Sequence, residues 1–210
     1  MKTSNIIIGI FLLISLVSCE QSMTEDQYCF NLKHNSLKSV ILPKNQLDSI
    51  KELFDYNHLD YSKFQFYRFK VDELGYHHVS CYQFKNNLKV FTNDLIFHFD
   101  KTNNYNFLSG ELIEKVNLNE KFKMNHNSVI TEFLNVLDQD KYILVDRDEI
   151  EKSCFDIEFG YYDLNAGKSN TSKHFTKAWK IKLSNRDYPY AYINDMNSNV
   201  IRYDNGIRYY

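Results

Sequence analysis

Apolar residues recur after Leu42-Pro43 at the spacing of one helical face: Leu47, Ile50, Leu53 and Phe54. Pro43 suits such a start, because the first turn of a helix has no use for the amide hydrogen that proline lacks. From Phe64 the period changes to two. Phe64 and Phe66, then Tyr67, Phe69 and Val71, alternate with a slip of phase, which predicts a strand with a bulge. Gly75 breaks the pattern, and Tyr76 to Phe84 reads as a second strand. Asn86-Asn87 predicts a turn, since asparagine tolerates positive φ. Leu88 to Asp100 continues the sheet, with Leu95, Phe97 and Phe99 on one face and Ile96, His98 and Asp100 on the other. Thr102-Asn103-Asn104 turns again, and Tyr105 to Val116 supplies one or two more strands around Gly110.

The stretch 117–127 is polar and rich in Asn and Lys, and reads as a linker. Asn127 or Ser128 is placed to cap a second helix, whose apolar residues are Val129, Ile130, Phe133, Leu134 and Leu137. A second block of strands follows: Phe155 to Tyr162, a loop over 164–175, then Trp179, Ile181 and Leu183 alternating with Lys180 and Lys182. Tyr188 to Ile193 is next, then a turn over Asn194 to Asn199, then Val200 to Tyr203, with Asn205-Gly206 suited to a tight hairpin turn. Helix then sheet, twice, predicts an α+β chain. The expected organisation is two helix-plus-antiparallel-sheet subdomains, 37–116 and 128–210, joined by the linker 117–127.

The N-terminus carries a different pattern. Lys2 precedes an apolar run from Ile6 to Val17, about a dozen residues and too short to span a bilayer. This is the core of a signal peptide. Its end, Leu16-Val17-Ser18-Cys19, resembles the lipobox of bacterial lipoproteins. The resemblance implies removal of residues 1–18, cleavage between Ser18 and Cys19, and acylation of Cys19. The protein would then sit in the cell envelope, held to a membrane outside the cytoplasm by lipid, with 19–36 as a tether. An ordinary signal peptide with an incidental cysteine is the alternative.

Composition narrows the picture. Lys and Arg number 25 against 27 Asp and Glu, a formal charge of −2, so nothing argues for a nucleic-acid partner. Sixteen Tyr and 16 Phe with only 2 Pro and 6 Gly describe a folded, strand-rich chain. Beyond Cys19, the cysteines are Cys29, Cys81 and Cys154. Three is odd, so at least one stays free or pairs outside the chain. One disulfide suits an oxidising compartment, and buried thiols acting as small apolar residues are the alternative.

The residues offer no catalytic constellation. No H-E-x-x-H and no G-x-S-x-G occurs. His77 and His78 are neighbours on a predicted strand and point to opposite faces, so they cannot ligate one metal together. His98 is placed to pair with His78 across the sheet, but no third ligand is evident. Cys81 and His78 also face opposite sides. Gly167-Lys168-Ser169 lacks the first glycine of a phosphate loop. The expectation is a non-enzymatic protein with no cofactor, no catalytic residue and no bound stoichiometric metal, because no cluster has ligand spacing. Tyr188, Tyr190 and Tyr192 share one face, with Tyr203, Tyr209 and Tyr210 close in sequence. Such a row either anchors a protein or glycan or packs half-buried with wet hydroxyls.

One stretch resembles a known family. Asp72-Glu73-Leu74-Gly75-Tyr76-His77-His78-Val79-Ser80-Cys81-Tyr82-Gln83 is similar to a signature of thermolysin- and fungalysin-type metalloprotease propeptides, which runs roughly D-x-L-G-x-x-H-V-R-Y-Q-Q. His78, Val79, Gln83, Val90, Leu95, His98 and Asp100 fall at the family's intervals, while Ser80 and Cys81 replace its Arg and aromatic, and Asn87 and Lys89 replace its Gly and Pro. The second half resembles the PepSY module that follows in such propeptides, through Ala178-Trp179-Lys180-Ile181 and Tyr190-Ala191-Tyr192-Ile193-Asn194-Asp195. The resemblance implies an FTP-like domain over 37–116 and a PepSY-like domain over 128–210. It further implies a partner, a secreted metallopeptidase that the chain inhibits or helps to fold. A structural or sensory envelope lipoprotein that holds a peptide, glycan or toxin is the competing expectation.

Overall fold

The computed structural model describes residues 28–33, 41–142, 145–169 and 171–208. Among these residues three α-helices and nine strands follow one another as β1 (Phe30–Lys33), α1 (Lys44–Tyr56), β2 (Phe64–Val71), β3 (His77–Lys85), β4 (Leu88–Phe99), β5 (Tyr105–Ser109), α2 (His126–Gln139), α3 (Arg147–Lys152), β6 (Phe155–Asp163), β7 (Phe175–Leu183), β8 (Tyr190–Asn194) and β9 (Val200–Asp204), with a short 3-10 turn at Tyr61–Lys63. Among the described residues the class is α+β and mostly sheet, as the pattern predicts.

All nine strands join one mixed sheet of order β2-β3-β4-β6-β7-β8-β9, with β1 added to β6 and β5 to β4. The sheet therefore runs unbroken past the point where the sequence places a boundary. It is also not purely antiparallel. β6 accepts two parallel neighbours on one edge: β1, in register from Phe30↔Phe155 to Lys33↔Glu158, and β4, at Lys89↔Gly160 and Val90↔Tyr161. Gly160 lets β4 come this close, because a Cβ there would stand 2.5 Å from the Lys89 carbonyl and 2.8 Å from the Phe91 ring.

The helices cover one face in two places. Ile50, Leu53 and Phe54 of α1 pack on Phe64, Phe66, Val79, Cys81, Leu95, Phe97 and Phe99. Phe54 is the hub, edge-on to Phe66 at 5.1 Å and to Phe97 at 4.9 Å. Val129, Ile130, Phe133 and Leu137 of α2 pack on Phe155, Ile157, Phe159, Trp179, Ile181, Leu183, Ala191 and Ile193, and Ile150 of α3 joins the same cluster. The spacing of apolar residues in the sequence reports both faces directly. The predicted bulge lies in β2 between Phe66 and Arg68. Asn86 and Asn87 form the β3–β4 turn at φ of 48° and 58°.

Several expectations are corrected. The predicted tether over 19–36 contains β1, and Cys29 just ahead of it is joined to Cys154 by a disulfide. Four residues with two apolar side chains are too short a pattern to reveal a strand. Asn125, not Asn127 or Ser128, caps α2: its side chain accepts from the Ser128 amide at 2.8 Å. Asn125, Asn127 and Ser128 are all competent caps by type, so composition cannot choose among them. Within 105–116 one strand forms, β5, as the range of one or two allowed, and beyond Gly110 the chain leaves the sheet. Asn205-Gly206 forms a bend after β9 and joins no further strand among the described residues. Nor is 117–127 a loose linker. Asn86 Nδ2 and the Tyr161 hydroxyl donate to the Leu118 carbonyl at 3.2 and 3.0 Å. Buried Asp195 accepts from the amides of Lys123 and Met124 at 2.9 and 3.0 Å, and from Trp179 Nε1 at 2.9 Å. A polar segment is thus docked through its backbone, which leaves no mark in side-chain hydropathy.

Among the described residues no helix is long and apolar enough to cross a membrane. Residues 1–18, Cys19 and the Ser18/Cys19 junction lie outside the described residues.

Candidate functional site

The face opposite the helices carries one row of polar side chains in the first half. Their starting point is the tight turn after β2. Asp72 Oδ1 accepts from the amides of Leu74 and Tyr76, both at 2.9 Å, and Gly75 supplies the φ of 86° that the turn requires. This fixes the carboxylate and turns its second oxygen toward β3. Asp72 Oδ2 lies 3.1 Å from His78 Nε2. His78 is the direct cross-strand partner of His98, and their Nδ1 atoms are 2.9 Å apart. His98 Nε2 in turn meets the Ser109 hydroxyl on β5 at 2.9 Å. The four side chains form one row across the sheet: Asp72, His78, His98, Ser109.

Each member is held by its surroundings. Phe107 stacks flat on the His98 ring, 4.2 Å away and 13° from parallel. The hydrogen bond from His78, with amide bonds from Tyr76 and Leu74, holds the Asp72 carboxyl below the usual carboxylate range. Burial, then the neighbouring His78, lowers His98, which therefore favours its neutral form. The expected pairing of His78 with His98 is present. Ser109 carries no signal of its role in the sequence, because that role depends on β5 lying beside β4. His77 stands on the other face, against Phe69 at 5.8 Å, as strand alternation requires.

A second polar group sits on the helix side. Gln83, a motif residue, accepts from the Ile113 amide at 2.8 Å and donates to the Ile113 carbonyl at 2.8 Å. Asn93 bridges Gln83 Oε1 at 3.2 Å and the Glu111 carbonyl at 2.7 Å. These amides replace the ladder that the chain abandons after Gly110. Cys81 is buried in the same half, and burial pushes its thiol far above the ordinary range, which suits packing and not reaction.

Toward the second half the face opposite the helices becomes aromatic and charged. Tyr67 stacks on Tyr82 at 4.3 Å, Lys89 Nζ lies 3.5 Å over the Tyr82 ring, and Lys89 reaches Glu158 at 3.6 Å. Phe91 meets Tyr192 at 5.3 Å across the β4–β6 seam. In the tyrosine row only Tyr188 is exposed; Tyr190 is half-buried and Tyr192 is buried. Tyr209 and Tyr210 lie outside the described residues. Among the described residues no group of three His, Cys, Asp or Glu side chains converges as a metal site would.

The propeptide family described as the Fungalysin/Thermolysin Propeptide Motif matches residues 62–112. That span covers β2 to β5 and holds Asp72, His78, Gln83, Asn93, His98 and Ser109 together. This span of the chain is thus similar to a propeptide motif of that type. Among solved structures, the C-terminal domain of YpeB from Bacillus megaterium is similar at 7% identity and a TM-score of 0.39, over 87% of this chain and 69% of that one. No curated protein matches the chain.

Proposed function

We propose that this chain is a lipid-anchored, non-enzymatic binder of a secreted metallopeptidase, acting in trans as an inhibitor or folding assistant. The observation that carries this reading is the propeptide motif over 62–112, whose polar side chains are mutually hydrogen-bonded. A propeptide acts by surface, so no catalytic residue is needed. The sheet face opposite the helices offers such a surface, and its aromatic and charged side chains cross the seam from the first half to the second. In this reading the first half is FTP-like and the second PepSY-like. The Cys29–Cys154 disulfide supports a location outside the cytoplasm, where disulfides persist. Cys19 then provides the anchor.

The test is direct. The soluble 20–210 fragment is added to metallopeptidases secreted by the same cell. A cognate thermolysin-like enzyme should be slowed, or refold in higher yield, at micromolar concentration. Such a complex needs about 8 kcal/mol, within reach of an ordinary protein interface. If no such peptidase binds or responds, the binder reading falls and a structural or sensory envelope role replaces it. For the anchor, mass spectrometry should find Cys19 acylated, and Cys19→Ala should give unprocessed or released protein. An unmodified mature N-terminus in the wild type would exclude the lipid.

A further inference from the structure

We infer that the facing Nδ1 atoms of His78 and His98 form a two-histidine chelate for a borderline divalent transition metal, zinc or copper. This goes beyond peptidase binding and does not depend on it. The argument begins with the 2.9 Å between the two Nδ1 atoms. Two imidazole lone pairs repel at that distance unless something positive lies between them. A shared proton fits that gap as it stands, and a metal cation fits it once the rings open slightly.

The outer nitrogens decide which positions are free. The Asp72 carboxylate can only accept, so His78 donates its Nε2–H to it and keeps the lone pair on Nδ1. Ser109 can donate or accept. When it donates to His98 Nε2, His98 carries its proton on Nδ1 and gives it to His78. When it accepts from His98 Nε2, both Nδ1 atoms present lone pairs to one point. The second arrangement is the one a metal selects. Metal-binding histidines characteristically hand their other N–H to a carboxylate or another oxygen acceptor, which fixes tautomer and ring direction. Asp72 and Ser109 stand in those two positions, at 3.1 and 2.9 Å.

The distances need little change. A tetrahedral zinc at about 2.0–2.1 Å from each nitrogen sets the two nitrogens about 3.3 Å apart. A small opening of the rings suffices. Both rings project from adjacent strands of one sheet, so the donors are preorganised by backbone. The His78 side chain keeps 27% of its surface open to water, which can fill the remaining coordination positions. Imidazole donors without carboxylates select zinc, copper or nickel over magnesium and calcium. Two protein ligands make an exchangeable site, one that mild chelation empties.

The test uses the untagged chain from residue 20, which lacks the Cys19 thiol, stripped by chelator and titrated with zinc chloride and copper(II) chloride by calorimetry. One equivalent should bind with a micromolar constant, and magnesium should not bind. His78→Ala and His98→Ala should each weaken binding tenfold or more, with His174→Ala unchanged. Asp72→Asn should weaken it about tenfold, by loosening the ring it holds. The copper-loaded wild type gives a readout that needs no variant: its paramagnetic resonance spectrum should show hyperfine structure from two imidazole nitrogens. One nitrogen or none, binding no tighter than millimolar, or binding that survives loss of both histidines would overturn the proposal.

Discussion

At the scale of the residue, the side chains that matter most are polar and buried. Asp195 is fully buried, gathers three donor groups, and has the Lys177 ammonium at 3.6 Å. Asp195→Ala would strand those donors and leave Lys177, itself buried, without its counter-charge. A loss of about 3–5 kcal/mol is expected, seen as a lower urea midpoint, since breaking one side of a buried ion pair costs that much. Asp140, at the end of α2, is a milder case. Partial burial would raise its carboxyl, but the Tyr142 amide, the Tyr203 hydroxyl and Asn205 outweigh burial and hold it below the usual range. Its folded-state value lies below the unfolded one. The stabilisation is therefore complete above the unfolded value near pH 4, and is lost as pH falls through the folded one. The stability gap between wild type and Asp140→Asn should be constant from pH 7 to 5 and shrink below about pH 4 in urea melts. None of this is legible in the sequence. Asp195 stands out there only as part of a family-like strand–turn, because a carboxylate's burial depends on where 123–124 and Trp179 end up.

At the scale of the element, legibility is high where a pattern is local. α1, α2 and the strands from β2 to β4 follow from apolar spacing, and the Asn86-Asn87 turn follows from a backbone preference. Pairing is not legible. β4 and β6 are joined by two residue pairs only, and nothing in either strand's hydropathy names the other as partner. Gly160 is the one local trace, and a glycine in a strand could equally mark a bulge. Its structural reason makes a sharp expectation. Gly160→Val should cost about 1–3 kcal/mol or more by forcing β4 away from β6, while Gly167→Ala, where a Cβ meets nothing within 4 Å but φ is 79°, should cost about 1–2 kcal/mol from backbone strain alone. Hydrogen exchange should separate the two: only the seam variant should raise exchange at residues 88–91 and 159–162.

At the scale of the whole molecule, the propeptide motif is readable in the sequence, whereas the single sheet is not. A boundary drawn at 117–127 looks natural when only side-chain polarity is visible; the backbone of that stretch instead ties α2 to the sheet beneath it. The cysteine count leaves the disulfide open, and its position has a mechanical consequence. Cys29 and Cys154 are 125 residues apart in sequence yet covalently joined. Tension applied ahead of Cys29 and beyond Cys154 would pass straight through the sulfur bridge into β6 and the strands after it. The intervening loop, with the entire propeptide motif, would hang from that path under no load. Pulled in a force spectrometer by such handles, the oxidised chain should never release the loop's length. Adding a reductant should add about 40–45 nm of contour, the span of 125 extended residues. A protein tethered on its N-terminal side would in this way keep its motif half at its resting shape while the other half bears the pull.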